Sequence, residues 1–322
     1  MLLVVLGHTM SGTVSDYSGS FLFQVIWTLQ MPLFIIISGY VTRYSKPIDS
    51  LKRFGAVLGK RTLAYLLPWA VWTFLVRGFI FQQTSFFDVK YLFWHMDIGY
   101  WFLITIWTIN VIYLCVDYCS NKLSENPTIN TLLHLLFSGI GMVILAGLGY
   151  LAGFSFFSIK LTLYYIPFYV LGYLYGRIQE KTQERENYKT IAETVVGISL
   201  VLWITLIVRY DFFTNSSGMM MALRFVASLF GCIAVIGLLS GIFENGGGKA
   251  FAWSGVHSLE IYLTHYLFLN LVTTPIQSLC SLGGTAILTV NYALTISLVV
   301  VIIKLVQQNK QLNFVLYARR TK

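Results

Sequence analysis

Apolar windows of helix-spanning length recur from one end of the chain to the other, and only short polar stretches separate them. Window by window, the pattern predicts helices at 21–41, 63–81, 99–117, 131–152, 161–176, 191–209, 221–243, 254–273 and 282–306. Each is near the roughly 20 residues that cross a hydrocarbon core. Residues 1–11 make a tenth and shorter helix, cut off by the polar stretch SGTVSDYSGS. The expectation is that this helix begins inside the bilayer, or that the given start lies downstream of the true one. Each span must satisfy its backbone polar groups internally, which helix does. The predicted fold is therefore all-α, a polytopic integral membrane helical bundle of about ten transmembrane helices with the first one truncated.

Composition agrees with this pattern. Hydrophobic residues make up 57% of the 322 and charged ones 11%, against about a quarter charged in a typical soluble domain, so no soluble domain is visible. Cys115, Cys119, Cys232 and Cys280 are scattered and read as small apolar fillers. Two thiols without a nearby histidine or second thiol pair make a poor zinc site, and no metal is expected.

The net charge of +9 admits nucleic acid or anionic lipid as partners, until its placement is considered. Of the 22 lysines and arginines, seventeen fall in one alternating set of loops and five in the other. That asymmetry assigns the 42–62 loop, the 177–190 loop and the C-terminal tail to the cytoplasmic face of a cell membrane, with both termini inside. It accounts for the charge without nucleic acid. No cleavable signal pattern is present, and the internal spans serve for insertion. KTQERENYKT reads as a solvated connector, and ENGGGKA as a flexible turn with no phosphate-loop pattern behind it.

Ionisable groups inside spans are expensive and are the first functional candidates. His8 lies in the first helix, and Glu260 and His265 fall in SLEIYLTH; Arg77, Asp117, Arg209 and Arg224 sit nearer helix ends. His8 and His265 reach similar middle depth if their helices start from the cytoplasmic side, so both imidazoles could face one cavity. A neutral imidazole takes a proton from a hydroxyl and returns it near neutral pH, as acyl transfer to an alcohol requires. The structural alternative is that each satisfies a backbone carbonyl or bridges two helices.

The second helix reads WTLQMPLFIIISGYVTRYSK. Met31-Pro32 predicts a kink, and Ser38 with Gly39 predicts close approach of another helix. Arg43 follows, with Lys52, Arg53, Lys60 and Arg61 in the same basic loop. Such a cluster suits a nucleotide or coenzyme phosphate, and it equally suits positive-inside anchoring. HMDIGYWFLITIW places Trp101 near His95 and Asp97. The group is either part of an aromatic belt or a stacking surface for a sugar ring.

The order of segments adds to these residues. A helix ending VVLGH is followed by MPLFIIISGY and a basic residue, KRTLAYLLPW, GYWFLITIW, YYIPFYVLGYLYGR and SGVHSLEIYLTH. From His8 to about residue 270 this series resembles the membrane-bound acyltransferase 3 family, in particular its fucose 4-O-acetylase-like branch. The resemblance implies one membrane-embedded acyltransferase domain over 1–322, in which acyl-CoA, commonly acetyl-CoA, is a cytoplasmic co-substrate and no cofactor is tightly bound. The acceptor would be a hydroxyl of a surface or exported glycan, and membrane lipids would surround the protein. His8 matches the family's motif histidine, and Arg43 and Arg61 match basic positions that, with Lys60, would favour the donor's phosphates. His265 sits where segments like SLEIYLTH end, and it and Glu260 would position the site or carry protons.

There are two departures. The basic residue that the family places about ten positions before the histidine would fall before Met1, and Ala64 stands where a second arginine is common. Two other function classes stay open at this point. One is a transporter of a glycan or lipid-linked sugar, which the helix-breaking Pro32 and Pro167 suit equally; the other is a decayed acyltransferase that inserts without turning over.

Overall fold

The computed structural model describes residues 1–13, 16–182, 188–215, 217–244, 248–269 and 284–319. Parts of SGTVSDYSGS, KTQERENYKT and ENGGGKA, the end of the helix expected at 254–273, and Cys280 lie outside the described residues. Among those described there is no strand.

The helices are α1 (Leu2–Thr13), α2 (Phe21–Val41), α3 (Leu51–Trp72), α4 (Val89–Trp94), α5 (Trp101–Leu123), α6 (Pro127–Ala152) and α7 (Ile159–Thr182). After these come α8 (Tyr188–Arg209), α9 (Gly218–Glu244), α10 (Lys249–Val256), α11 (Ser258–Thr264), α12 (Gly284–Gln307) and α13 (Lys310–Tyr317). Seven helical stretches among the described residues are long and apolar enough to cross a bilayer, belonging to α2, α3, α5, α6, α8, α9 and α12.

Three differences from the sequence expectation stand out, and two of them have local causes. The half of the basic loop from Leu51 onward is helical: the Ser50 side chain caps α3 by accepting from the Arg53 N–H at 3.4 Å, and Lys and Arg are good helix formers. Past Trp72 the same helix continues to Ile80 as a wider π-helical stretch. The helix expected from residue 254 is interrupted at His257, whose ring Nδ1 and backbone N–H both claim the Trp253 carbonyl, at 2.9 and 3.0 Å. Such side-chain competition for an i−4 carbonyl weakens a helix locally. Pro32 lies inside α2 without ending it.

The chain divides into two compact units, 1–34 with 180–305 and 35–179 with 306–322. In the first, α8 and α9 lie close together because Gly231 and Gly237 leave room for Trp203 and Val196. Trp203 Nε1 donates to Thr28 Oγ1 at 3.1 Å, which ties that pair to α2. Gln24 completes the join: its Nε2 donates to Asp211 Oδ1 at 3.0 Å and its Oε1 accepts from the Phe212 N–H at 3.2 Å.

In the second unit, α2 and α7 cross backbone on backbone. A Cβ on Gly39 would overlap the Tyr169 carbonyl oxygen, and one on Gly172 would overlap the Ile36 carbonyl oxygen. Only glycine at both positions permits this approach. Along α3 and α5, Ile48 and Asp117 mark one end of the pair and Trp72 and Tyr100 the other. The terminal helix α13 packs at the Trp72 end, where Trp72 Nε1 donates to the Leu316 carbonyl at 2.8 Å and its ring stacks on Tyr317.

Two outcomes are expected in detergent. Gly39→Ala should cost about 1–3 kcal/mol through forced separation of the helices, whereas Gly55→Ala, which adds a Cβ into open space, should be neutral or stabilising by about 0.5–1 kcal/mol; thermal unfolding of both variants checks this. At Asp211, burial opposes ionisation, but hydrogen bonds from Thr214, Phe213 and Gln24 outweigh it and hold the carboxyl below its ordinary value. A depressed carboxylate stabilises the fold above its unfolded-state pKa and loses that contribution as pH falls through the folded one. The melting temperature should therefore drop as pH is lowered below about 4, and Asp211→Asn should flatten that component.

Candidate active site

Two histidines far apart in sequence meet in the first unit. His8 is carried by α1, where Gly7 packs against Ile26 and Gln30 of α2, and the far end of α1 is fixed by Asn291 Nδ2 donating to Thr13 Oγ1 at 2.9 Å. His265 follows α11. The rings of His8 and His265 lie 5.3 Å apart, and Tyr266 completes the group at 5.0 Å from His8 and 4.6 Å from His265.

Hydrogen bonding sets the chemistry of this group. His265 Nδ1 lies 3.1 Å from the Ile261 carbonyl, which can only accept, so this nitrogen carries the proton and Nε2 presents a lone pair. Among the described residues, His265 Nε2 has no hydrogen-bond partner. Tyr266 Oη lies 3.3 Å from His8 Nε2; with the proton on Nε2 the phenol accepts it and the lone pair of His8 is left on Nδ1. His265 is wholly enclosed while His8 is only partly buried. Glu260 is also wholly enclosed, but five positions along a helix turns its side chain about 140° from that of His265.

The basic candidates fall in the second unit. Arg43 Nη1 donates to Gln179 Oε1 at 2.8 Å and to Tyr40 Oη at 3.0 Å, so the end of α2 is held to the end of α7. Arg61, half-buried on α3, donates to Asn110 Oδ1 of α5 at 2.6 Å. Lys60 beside it is exposed.

His95, Asp97 and Trp101 precede or open α5, and two of them are engaged with separate partners. His95 stacks on Tyr91 at 3.9 Å and its Nδ1 lies 2.9 Å from the Tyr91 carbonyl. Trp101 stacks on Tyr165 of α7 at 5.7 Å. Asp97 is half-buried. Among the described residues, no three His, Cys, Asp or Glu side chains gather to hold a metal.

Tyr266 and His134 were not singled out from the sequence. Tyr266 gave no signal beyond adjacency to His265. His134 did: it is an imidazole within the apolar run TLLHLLF, flagged by the same rule that selects His8. Its Nε2 lies 3.3 Å from Asp117 Oδ1, out of line for a hydrogen bond. Asp117 Oδ2 accepts the Ile48 N–H at 2.7 Å. Both side chains are buried. The pair thus pins the turn that joins Arg43 to the basic start of α3.

A family model described as an acyltransferase domain matches residues 1–306. Comparison with curated proteins and with solved structures finds no match.

Asp117→Leu would strand the Ile48 N–H and cost about 1–3 kcal/mol, while Asp117→Asn keeps an acceptor there and should cost less. Amide exchange around Ile48, followed by mass spectrometry, should quicken in the leucine variant and stay near wild type in the asparagine variant.

Proposed function

The chain belongs to the acyltransferase 3 family, and on that premise we propose that it is a multi-pass O-acyltransferase of the plasma membrane, moving an acetyl group from cytoplasmic acetyl-CoA to a hydroxyl of a surface or exported polysaccharide. The observation that carries this proposal is the His8–His265 pair, one imidazole partly buried and the other wholly enclosed with a defined lone pair. Ten crossings follow if α1, α7 and the interrupted α10–α11 stretch join the seven long apolar helices. The basic turn after α2 then lies in the cytoplasm with the N-terminus.

In this mechanism the donor's phosphates dock against Arg43, Lys60 and Arg61 and its thioester enters the bundle. The acceptor hydroxyl gives its proton to His8 as its oxygen bonds to the acyl carbon. The carbon–sulfur bond breaks, the departing thiolate takes the proton back from the imidazolium, and the products are an O-acetyl ester and free CoA. His265 and Tyr266 hold the His8 ring in place, and Glu260 supports the His265 segment from the enclosed side. His95, Asp97 and Trp101 are offered as the sugar-facing group. Coenzyme A is a substrate here, and neither a resident cofactor nor nucleic acid has a part.

His8→Ala should lower transfer roughly 10²–10⁴-fold with expression unchanged. The readout is mass spectrometry of O-acetyl groups on host surface glycans in a deletion strain complemented with each form. Full acetylation by the alanine variant would sink the assignment.

A further inference from the structure

Arg43 is the centre of a larger group at its end of the second unit. Its guanidinium lies 5.2 Å from the Tyr40 ring and 5.0 Å from the Tyr44 ring, within cation–π range of both. Tyr40 in turn faces Tyr175 of α7 at 5.5 Å. Gly176 lets α7 close in: a Cβ there would stand 3.5 Å from the Arg43 side chain. The next residue, Arg177, donates from Nε to Tyr173 Oη at 3.2 Å. Arg43 therefore lies against Gly176, with Arg177 at the next position of α7; each guanidinium is oriented by a tyrosine hydroxyl, and Arg43 also by Gln179.

The aromatic side of the cluster is open. Tyr44 is 70% exposed on a turn beyond α2, and Tyr175 is 42% exposed on α7. An interfacial belt also places tyrosines and arginines at a membrane boundary, but a belt spreads its rings singly around a bundle. Here Tyr40 and Tyr44 both lie within cation–π range of one guanidinium that hydrogen bonds orient, and Tyr175 adds a third ring against Tyr40. Fixed guanidinium groups recognise phosphate by paired hydrogen bonds, and an exposed phenol ring offers a face to a purine.

We propose that Arg43, Tyr44, Tyr175 and Arg177 form the site for the adenine nucleotide end of the coenzyme A donor, with phosphates on the two arginines and the purine on the exposed tyrosines. This rests on the acyltransferase function proposed above and deepens it. It shifts the weight of donor binding from α3, where Arg61 is engaged with Asn110 at 2.6 Å, to the joint of α2 and α7.

The test is calorimetric binding to the full chain in lipid-free detergent, with coenzyme A and pantetheine as separate probes. Tyr44→Ala and Arg177→Gln should each weaken coenzyme A roughly tenfold or more, a loss on the scale of one stacking or charge-assisted contact, and leave pantetheine binding unchanged. Tyr44 is on a turn and well exposed, so its replacement carries the test even if Arg177→Gln fails to fold. Coenzyme A binding at wild-type strength in both variants overturns the site while leaving the enzyme assignment intact. So does a loss that appears only as weaker retention on phosphatidylglycerol vesicles, which would mark a lipid anchor. A wild-type chain that binds no coenzyme A removes the acetyl-CoA donor, and this site with it.

Discussion

The contact on which the second unit depends is the crossing of α2 and α7 at Gly39 and Gly172, where each backbone lies against the other's carbonyl. In a bilayer, apolar side chains gain little by leaving lipid for one another, so helices associate through close packing and through polar groups that meet inside. The crossing supplies the first and thereby permits the second. Once the two backbones touch, Tyr40 and Arg43 at the end of α2 reach Gln179 of α7, and Gly176 lets α7 lie against the Arg43 side chain. Asp117 then captures the turn that follows. The positions of the basic side chains are thus consequences of two missing methyl groups.

The first unit is governed by a different need, the satisfaction of polar groups away from water. His257 and His265 both turn Nδ1 onto the carbonyl four residues back, and in both cases the backbone N–H uses the same oxygen. At both positions the helix is interrupted, α10 giving way to α11 at His257 and α11 ending before His265. At both the bond also fixes the tautomer, which is what distinguishes a usable lone pair from a ring that could point its proton either way. The same local bond therefore shapes the fold and, at His265, the chemistry.

Much of this was legible in the sequence, for reasons that also mark where legibility ended. The cost of ionisable groups in apolar runs picks out His8 and His265, and they meet at 5.3 Å. The same rule applied evenly would have included His134, whose partner Asp117 lies in another helix. Ser38-Gly39 announced close approach but not the helix that approaches. The start of α3 at Leu51 was hidden because its lysines and arginines read as loop, although those residues extend a helix readily. Likewise Trp101 was visible as an aromatic at a helix end, but its stacking on Tyr165 depends on a helix about sixty residues later. Pairings between distant segments were the missing quantity throughout, since periodicity describes one helix at a time.

The glycine crossing also imposes an order on biosynthesis. α2 enters the membrane before α5, α6 and α7 have been made, and at about 5–20 residues per second its partner follows on the order of ten seconds later. During that interval the Gly39 face of α2 rests against lipid or against the insertion machinery, with no backbone to receive it. A chain that stalls before α7 emerges is therefore left with an inserted α2 whose Arg43 lacks its Gln179 partner.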